Sequence, residues 1–493
     1  MVSTFGGLEI GRRGLASQLA GINTTGNNIV NANTEGYTRQ RVDFSPSAAY
    51  PPSGFNQPYI HGRYGTGVDA NGVQRIRDQF ADAQYREKFS NNSYWETKSD
   101  ALGRAEDVLN EPSDDGISKA MDDFWQALQD LASNPENAGA RSVVRERGKA
   151  LAETFNDLSN SLNKIKGDLK QQINVSGNQI NTLTKQINEL NKQIADVEST
   201  GQMPNDLYDQ RDLLVDQLSG LVNIKVDRAD SGGNSAAAAE GKYTITLLDK
   251  DGHSVGTLID GKNNQVNELT VNTDDKDGKI NVTLSLGGQD ITGKEVSGKL
   301  QGLIDGYSKD LPDLMSKLDD MAYTFAQAFN KIHEQGQGHD GSKQGVGFFS
   351  GVDQKDGAAK NIKISDDIEN SLNNIATRKP GAPIGDNSIV NDLEKVFSDQ
   401  TLTFNDGTKG TAKSYLQSLI GDLGVNSQTA QRMAKNTGIL VENANVQRQS
   451  VSGVSLDEEM TNLIQYQQAY TASAKMINVM NDVLDTIINK MGV

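Results

Sequence analysis

Cysteine is absent from the 493-residue chain, which removes disulfide frameworks, thiolate zinc sites and cysteine nucleophiles. Aromatic residues are scarce at 6%, and apolar residues together reach only 35%. So thin a supply argues against one large globular core. It suits long helices, which bury a narrow stripe and leave the rest of their surface polar. Positive charge is also short: 48 Lys and Arg face 65 Asp and Glu, leaving a formal charge of −17. With no basic patch standing out, phosphate-driven nucleic-acid binding and adsorption to anionic membranes are disfavoured. No apolar run approaches the ~18 residues of a membrane span. Met1 to Gly14, which carries Arg12 and Arg13, lacks the apolar centre of a cleaved secretory signal. The expectation is a soluble chain without membrane insertion, of two to four domains at roughly 150 residues each. Some export routes leave no cleaved signal, so these absences do not confine it to the cell.

What is present is helical periodicity, written most clearly at the two ends. Phe5, Leu8, Arg12, Leu15, Leu19, Ile22, Gly26 and Ile29 step by threes and fours, the spacing of a seam that packs on another helix. An ordinary amphipathic surface helix is the alternative. Gly6, Gly7, Gly14 and Gly21 would each weaken an isolated helix by ~1 kcal/mol, so the segment is expected to fold only when packed. Asn31, Ala32, Asn33, Thr34, Glu35, Gly36 and Tyr37 end it. At the other end Leu456, Met460, Leu463, Gln467, Tyr470, Ala474, Ile477, Asn481, Leu484, Ile488 and Met491 repeat the stepping. Ser455 stands as N-cap, and Asp457, Glu458 and Glu459 complement the helix dipole. Two heptad strands imply that the ends pair with each other or with neighbouring copies. The assembly interface expected from this pattern consists of Phe5, Leu8, Leu15, Leu19, Ile22, Ile29, Asn31, Asn33, Gly36, Tyr37, Leu456, Met460, Leu463, Tyr470, Ile477, Leu484 and Ile488.

Between the ends, residues 42–75 read as loop and strand, with Pro46, Pro51, Pro52 and Pro58. Helical spacing returns over about Ile76–Leu109. After a turn at Pro112–Gly116 comes a short helix carrying Ile117, Met121, Phe124, Leu128 and Leu131. The longest periodic run goes from Phe155 to Val197, roughly 60 Å if helical throughout, with a stutter at Ile173 and a polar Ser176 in the seam. A further helix is expected over Leu207–Leu221. Residues 227–296 change character: Gly232–Gly233, Asp251–Gly252, Asp277–Gly278 and Gly287–Gly288 separate period-two runs such as Tyr243–Leu248 and Ile280–Leu286, a small inserted β domain. Helices resume over Gly298–His333, and a Gly-rich loop leads to Phe348 and Phe349.

The expected fold is therefore mainly α with an inserted β domain: an elongated multi-domain rod with paired N- and C-terminal helices forming a coiled coil, a long helical bundle and a small outer β domain. Residues 1–60 and 450–493 form the terminal assembly domain, 61–226 and 297–449 the helical rod, and 227–296 the insert.

Motifs that resemble catalytic or cofactor sites dissolve on inspection. Gly288 to Lys294 has the glycine spacing of a phosphate-binding loop, but Glu295 stands where magnesium needs Ser or Thr, and a β-turn is the reading. His333-Glu334 is followed by His339, six positions on rather than the four that place two zinc ligands on one helical face. Asp249-x-Asp251-Gly252 and Asp275-x-Asp277-Gly278 lack the terminal glutamate of a calcium loop. Four scattered histidines give a nucleophilic triad little to draw on, and Tyr466 and Tyr470 read as packing. No catalytic residue, metal or cofactor is expected.

Both ends resemble the bacterial flagellar axial proteins. Asn27-Asn28-Ile29-Val30-Asn31-Ala32-Asn33-Thr34-Glu35-Gly36-Tyr37 is similar to their N-terminal signature, with Val30 where alanine is usual. Leu456-Asp457-Glu458-Glu459-Met460-Thr461-Asn462-Leu463-Ile464 and Tyr466-Gln467-Gln468-Ala469-Tyr470 resemble the matching end. Internal motifs narrow the resemblance to the first hook–filament junction proteins, the hook-associated protein 1 family. They are Tyr37-Thr38-Arg39-Gln40; Glu111-Pro112-Ser113-Asp114-Asp115-Gly116; Phe124-Trp125, Leu131 and Asn134-Pro135; Asp209-Gln210-Arg211-Asp212-Leu213-Leu214; and Asn330, His333, Gly336 and Phe348-Phe349. The likeness is weakest over 227–296 and 350–415.

The resemblance implies a structural, non-enzymatic adaptor secreted through the flagellar export apparatus, placed outside the cell between hook and filament. A homo-oligomeric ring of about eleven copies would sit on the hook protein, beneath the second junction protein (hook-associated protein 3), with the terminal helices lining an inner tube. It also implies an export chaperone that guards the C-terminal helix, whose unpaired seam is an aggregation hazard. A hook or distal rod protein is the alternative within the class. A secreted cell-wall hydrolase or an adhesin using 227–296 is the alternative outside it.

Overall fold

The computed structural model describes residues 5–50, 64–109, 116–276, 279–339, 344–398, 402–405 and 407–490. Pro51, Pro52, Pro58, the Glu111–Asp115 stretch, the Asp277–Gly278 turn and Met491 lie outside the described residues. The chain is mainly α with inserted β elements. In order it forms α1 (Gly6–Val30), β1 (Gln40–Pro46), β2 (Val68–Arg75), α2 (Gln79–Leu109), α3 (Ile117–Ser133), α4 (Ala138–Glu198) and α5 (Asn205–Leu221). The strands β3 (Ile224–Ala229), β4 (Lys242–Leu248), β5 (Ser254–Asp260), β6 (Gln265–Val266), β7 (Leu269–Lys276), β8 (Lys279–Leu286) and β9 (Gln289–Asp290) follow. Then come α6 (Gly298–Asp305), a π-helical turn at Gly306–Asp310, α7 (Leu311–His333), α8 (Ala358–Asn361), α9 (Asp366–Asn370), α10 (Ser388–Ser398), α11 (Ala412–Ser452) and α12 (Leu456–Asp485). Contacts divide the chain into two units: Met1–Ser90, Ile180–Glu268 and Gly438–Val493 in one, Asn91–Gln179 and Leu269–Thr437 in the other.

In the first unit α1 packs on α12 and on the antiparallel β1–β2 pair. A four-stranded antiparallel sheet, ordered β3-β4-β5-β6, buries Ile245, Leu247, Leu258 and Ile259. The last turns of α4 hold the sheet through side chains as well as apolar contact. Asn191 donates to the Tyr243 carbonyl and accepts from its amide, both at 2.9 Å. Buried polar side chains of this kind must be satisfied, and satisfied ones fix the packing uniquely.

The second unit gathers phenylalanine into its core. Six of the chain's 13 phenylalanines, Phe124, Phe325, Phe329, Phe348, Phe349 and Phe397, form one cluster there. Ring centroids lie 5.3 Å apart for Phe124–Phe329, 5.2 Å for Phe325–Phe397 and 5.0 Å for Phe348–Phe349, the offset and edge-on distances that aromatic pairs prefer. Asn330 pins the two-phenylalanine turn, accepting from the Phe348 and Phe349 amides at 2.8 Å each and donating to the Phe349 carbonyl. His333 is fully buried beside them; Nδ1 donates to the Val346 carbonyl at 2.6 Å and Nε2 accepts the Ala376 amide at 3.0 Å. Both ring nitrogens are taken, so this histidine has no atom left for a metal. A separate antiparallel sheet, β7-β8-β9, belongs to this unit. Its last turn runs through Gly287 and Gly288 at φ +56° and +84°, the left-handed pair a tight hairpin requires.

The strands expected over 227–296 thus form two sheets, four strands in the first unit and three in the second. Helix α4 begins at Ala138, well before the periodic run from Phe155. Its first turns are anchored by a buried Arg141, which donates to the carbonyls of Pro135 and Ile375 at 2.8 Å each, so an apolar pattern is missing there. The stutter at Ile173 and Ser176 lies inside α4, and both residues are buried.

Candidate assembly site at the paired termini

Helices α1 and α12 run antiparallel, and what lies between them is small. Gly7, Gly14, Gly21 and Asn28 recur every seven residues along α1 and face Met480, Ser473, Tyr466 and Glu459, which recur every seven in the opposite direction along α12. A β-carbon on Gly7 would fall 2.6 Å from Met480 Cε, on Gly14 2.7 Å from Ser473 Oγ, and on Gly21 3.0 Å from the Tyr466 ring. Gly11 fills the intervening position, where a β-carbon would lie 2.6 Å from Ile477 Cγ1. Glycine is costly inside a helix, but here it lets two backbones approach as no other residue would. On its other side α1 meets the β pair: Ser17 Oγ donates to the Val68 carbonyl at 3.1 Å, and Arg13 reaches Ser47 and Asp69. The Phe44 and Tyr466 rings meet edge-on at 5.9 Å.

The seam ends in a polar node. Asn28 Nδ2 donates to Glu459 Oε2 at 3.0 Å and to the Gln40 carbonyl at 2.8 Å, while its Oδ1 accepts from Tyr37 Oη at 2.8 Å and the Gln40 amide at 3.0 Å. Glu459 Oε1 takes Arg39 Nε at 2.7 Å, and Arg39 also reaches Glu458 at 2.7 Å. Asn28 is 1% exposed and Glu459 2%, so the bonds these two make replace water. Burial, with the charges of Asp209 and Glu459, pushes the Tyr37 phenol up to about 12, keeping it a donor. Gly36, at φ +81° with Leu213 beside it, makes the turn that brings Tyr37 back to the helix it has just left.

Behind the node lies a buried charge cluster. Arg75 pairs with Asp209 at 2.6 Å, Asp212 at 2.8 Å and Glu240 at 2.5 Å. Arg77 reaches Asp212 at 3.0 Å and Asp82 at 2.6 Å, and Arg86 reaches Asp216 at 2.7 Å. Arg211 donates to the Gly241 carbonyl at 2.6 Å and stacks 3.4 Å over the Tyr243 ring. Burial alone would raise the Asp212 carboxyl, but Arg77, Arg75, Arg86 and Arg211 overrule it and hold it well below the usual range. Arg448 joins from α11, 2.6 Å from Asp216 and stacked over Tyr85. Strand β2, helices α2, α5 and α11 and the start of β4 are tied at one point. The Thr38 amide, donating to Asp209 at 3.3 Å, joins the node to it.

Of the residues expected at the assembly interface, Ile477 meets Gly11, and Tyr37 and Gly36 belong to the node and its turn. Asn31 folds back to bond Asn27, and Asn33 is exposed. Leu8, Leu15, Ile22, Ile29, Leu463 and Leu484 are half-buried. Phe5, Leu19, Leu456, Met460, Tyr470 and Ile488 are exposed, with Leu19 at 47% and Ile488 at 69%. On α1 the large apolar side chains therefore border or lie outside the intramolecular seam, whose buried positions include Gly11, Gly21, Thr25 and Asn28, while α12 lays Ile477, Met480 and Tyr466 against it. Those four, with Arg39, Asp212 and Glu240, were not singled out from sequence as site residues. The signal that could have revealed them is the seven-residue spacing of Gly7, Gly14 and Gly21. Asp249, the start of a calcium-like run, accepts from the Asp251 and His253 amides at 2.9 and 2.8 Å, so its carboxylate closes a turn.

The comparisons with known proteins agree with this architecture at both ends and in the middle. Residues 8–38 match the flagella basal body rod protein family, and residues 446–490 the C-terminal region of the flagellar basal body rod FlgEFG proteins. With its two termini paired, the chain is of the flagellar rod-and-hook class. Residues 102–349 match the flagellar hook-associated protein FlgK helical domain. Flagellar hook-associated protein 1 of Bacillus subtilis (strain 168) is 44% identical over 508 residues, covering 100% of this chain and 99% of its own. That of Salmonella typhimurium is 27% identical over 569 residues, covering 97% and 98%. The solved flagellar hook junction protein FlgK from Burkholderia pseudomallei shares the fold, with a TM-score of 0.62 at 15% identity over 75% of this chain and 100% of that one. The chain belongs to the flagellar hook-associated protein 1 family and is a structural component of the flagellum. Among the described residues, no helix is long and apolar enough to cross a membrane.

Proposed function

We propose that this protein is the adaptor that joins hook to filament and on which filament assembly depends. In this reading the chain leaves the cell through the flagellar export apparatus. About eleven copies close into a ring through head-to-tail contacts. The hook protein lies below and the second junction protein above, the terminal helices line the inner tube, and a cytoplasmic chaperone covers the C-terminal helix before export. The observation that carries the reading is the inverted helix pair. On α1 its intramolecular seam uses glycine and short polar residues, and across the pair Leu19, Leu456, Met460, Ile464 and Ile488 stay exposed. A protein that ended its folding as a monomer would have placed those side chains inside. Helix faces of this kind are completed by neighbouring helices, and neighbouring copies supply them here. A hook or distal rod protein would share the ends but not the helical domain at 102–349.

Deletion in the source organism tests the proposal. Cells should still build hooks but release flagellin into the medium, and motility should return only with a copy that carries both terminal helices. Intact filaments on the deleted strain would overturn the junction assignment.

A further inference from the structure

A seam of glycines spaced by seven has a weakness: its row of glycines repeats when slid by seven. Moving α12 one heptad along α1 would set Gly14 against Met480 and Gly21 against Ser473. The opposite slip would set Gly14 against Tyr466. Met480, Ser473 and Tyr466 already sit on glycines of this seam, so close packing does not exclude the second slip; it opposes the first, in which Ile477, now over Gly11, would meet Gln18 and the Tyr466 ring would meet Asn28. The polar node does choose. In the first slip Asn28 would face Tyr466, and Glu459 would lie beyond the end of α1, away from its partner. In the second, Glu459 would face Gly21 and Asn28 would face Ser452. In either case the Asn28–Glu459 bond is lost and two buried polar groups need new partners.

We infer that Asn28 and Glu459, braced by Arg39 and Tyr37, are positioning residues that select the one register in which the terminal helices pair. The principle is that of a single buried asparagine in a coiled coil, which fixes register at a cost in stability. The bracing is asymmetric. Asn28 is bound on all sides by the turn that follows its own helix, at Tyr37 and Gln40. Its one bond to α12 is the one to Glu459. Arg39, anchored by its amide to the Ser452 carbonyl at 2.9 Å, holds Glu459 from the same turn. The node thus reads the distance from the end of α1 to the start of α12, which a glycine face has no means to measure. Register selection concerns the pairing inside one subunit and is independent of where the subunit sits in the flagellum.

Because the chain has no cysteine, disulfide mapping in the full-length protein reads the register directly. A β-carbon at position 14 lies 3.4 Å from Ser473 Cβ, close to the ~3.5–4.5 Å of a disulfide. Gly14→Cys with Ser473→Cys reports the native register; Gly14→Cys with Met480→Cys, or with Tyr466→Cys, reports the two slips. With Asn28 and Glu459 intact, mild oxidation should give the 14–473 bond, and each slipped bond should be at least about tenfold rarer. Adding Asn28→Leu and Glu459→Leu should shift that ratio by about tenfold or more toward one or both slipped bonds. Glu459→Gln, which keeps an acceptor for Asn28, should leave the native bond dominant. An unchanged ratio in the double-leucine variant overturns the proposal. So does loss of all three bonds, which would mean that the node holds the helices together rather than aligning them. A Glu459→Gln ratio equal to that of the leucine variant overturns it as well.

Discussion

At the scale of single residues, His333 shows how a buried group carries pH dependence. Burial drives its pKa down to about 4 against the pull of its bond to the Val346 carbonyl. The unfolded chain takes a proton near the ordinary value of about 6.5, and the native protein takes it only near 4. Between those values the unfolded state holds more protons, so stability falls as pH falls, by a total of about 3 kcal/mol. The two tryptophans, Trp95 and Trp125, both lie in the unit that contains His333, so their fluorescence reads that unit alone. The urea midpoint followed by tryptophan emission should drop between pH 7 and pH 5. His333→Phe should flatten that dependence while lowering the pH 7 stability by about 2–5 kcal/mol, since the Val346 carbonyl and the Ala376 amide lose their partner. A pH-dependent midpoint that survives the substitution would assign the titration to another group.

At the scale of elements, the cluster around Asp212 is where β2, α2, α5, α11 and β4 meet. Removing one partner of a buried ion network leaves the others uncompensated, at about 3–5 kcal/mol. Asp212→Ala takes one carboxylate from each of Arg75, Arg77 and Arg86, leaving Asp209, Glu240, Asp82 and Asp216 to balance three buried guanidiniums. Hydrogen exchange should therefore accelerate in Asn205–Leu221 and Lys242–Leu248, while tryptophan emission from the other unit stays unchanged; exchange at the native rate would show that the remaining carboxylates suffice. The Asp212 carboxyl is held well below its ordinary pKa. Its contribution is present above about pH 4 and is lost as the pH falls through the lower native value, so this unit should resist acid that already loosens the His333 unit. The elements were the most legible part of the sequence. Helices such as α3 and α5, and strands such as Lys242–Leu248, announce themselves because burial repeats apolar residues at 3.6 or 2. Helix α11 falls in the stretch expected as helical rod, but its limits are not legible, because beyond Leu423 its buried positions are Ser427, Ala430, Thr437 and Ala444, which give no hydrophobic period. The seam of α1 escaped for the same reason. Apolar stepping marks where large side chains lie, and here they lie outside the contact while glycines make it. The charge cluster was visible only as Asp209-Gln210-Arg211-Asp212, because its other half comes from residues more than a hundred positions away, at Arg75 and Arg77.

At the scale of the whole molecule, the terminal pair is the part that the rest of the chain does least to complete. Two helices joined through glycines gain little from apolar burial between them, and each glycine subtracts ~1 kcal/mol of helix preference. The face they turn outward is apolar: Val30 is 82% exposed, Ile464 54% and Val479 60%. Neither helix has enough intrinsic stability to persist without tertiary contacts, and among the described residues those contacts come chiefly from the seam, the node and the β1–β2 pair. The ends should therefore open far more often than the phenylalanine core, and a protease samples what opens. Brief digestion of the purified monomer should trim both ends and leave a fragment from about residue 60 to about residue 440. In subunits recovered in assembled flagella, the same sites should be protected, since neighbouring helices would then cover Leu19, Met460 and Ile488. Ends that resisted digestion in the monomer would mean that the glycine seam and the node suffice by themselves, and the exposed leucines and isoleucines would then need a purpose other than completing the fold in a ring.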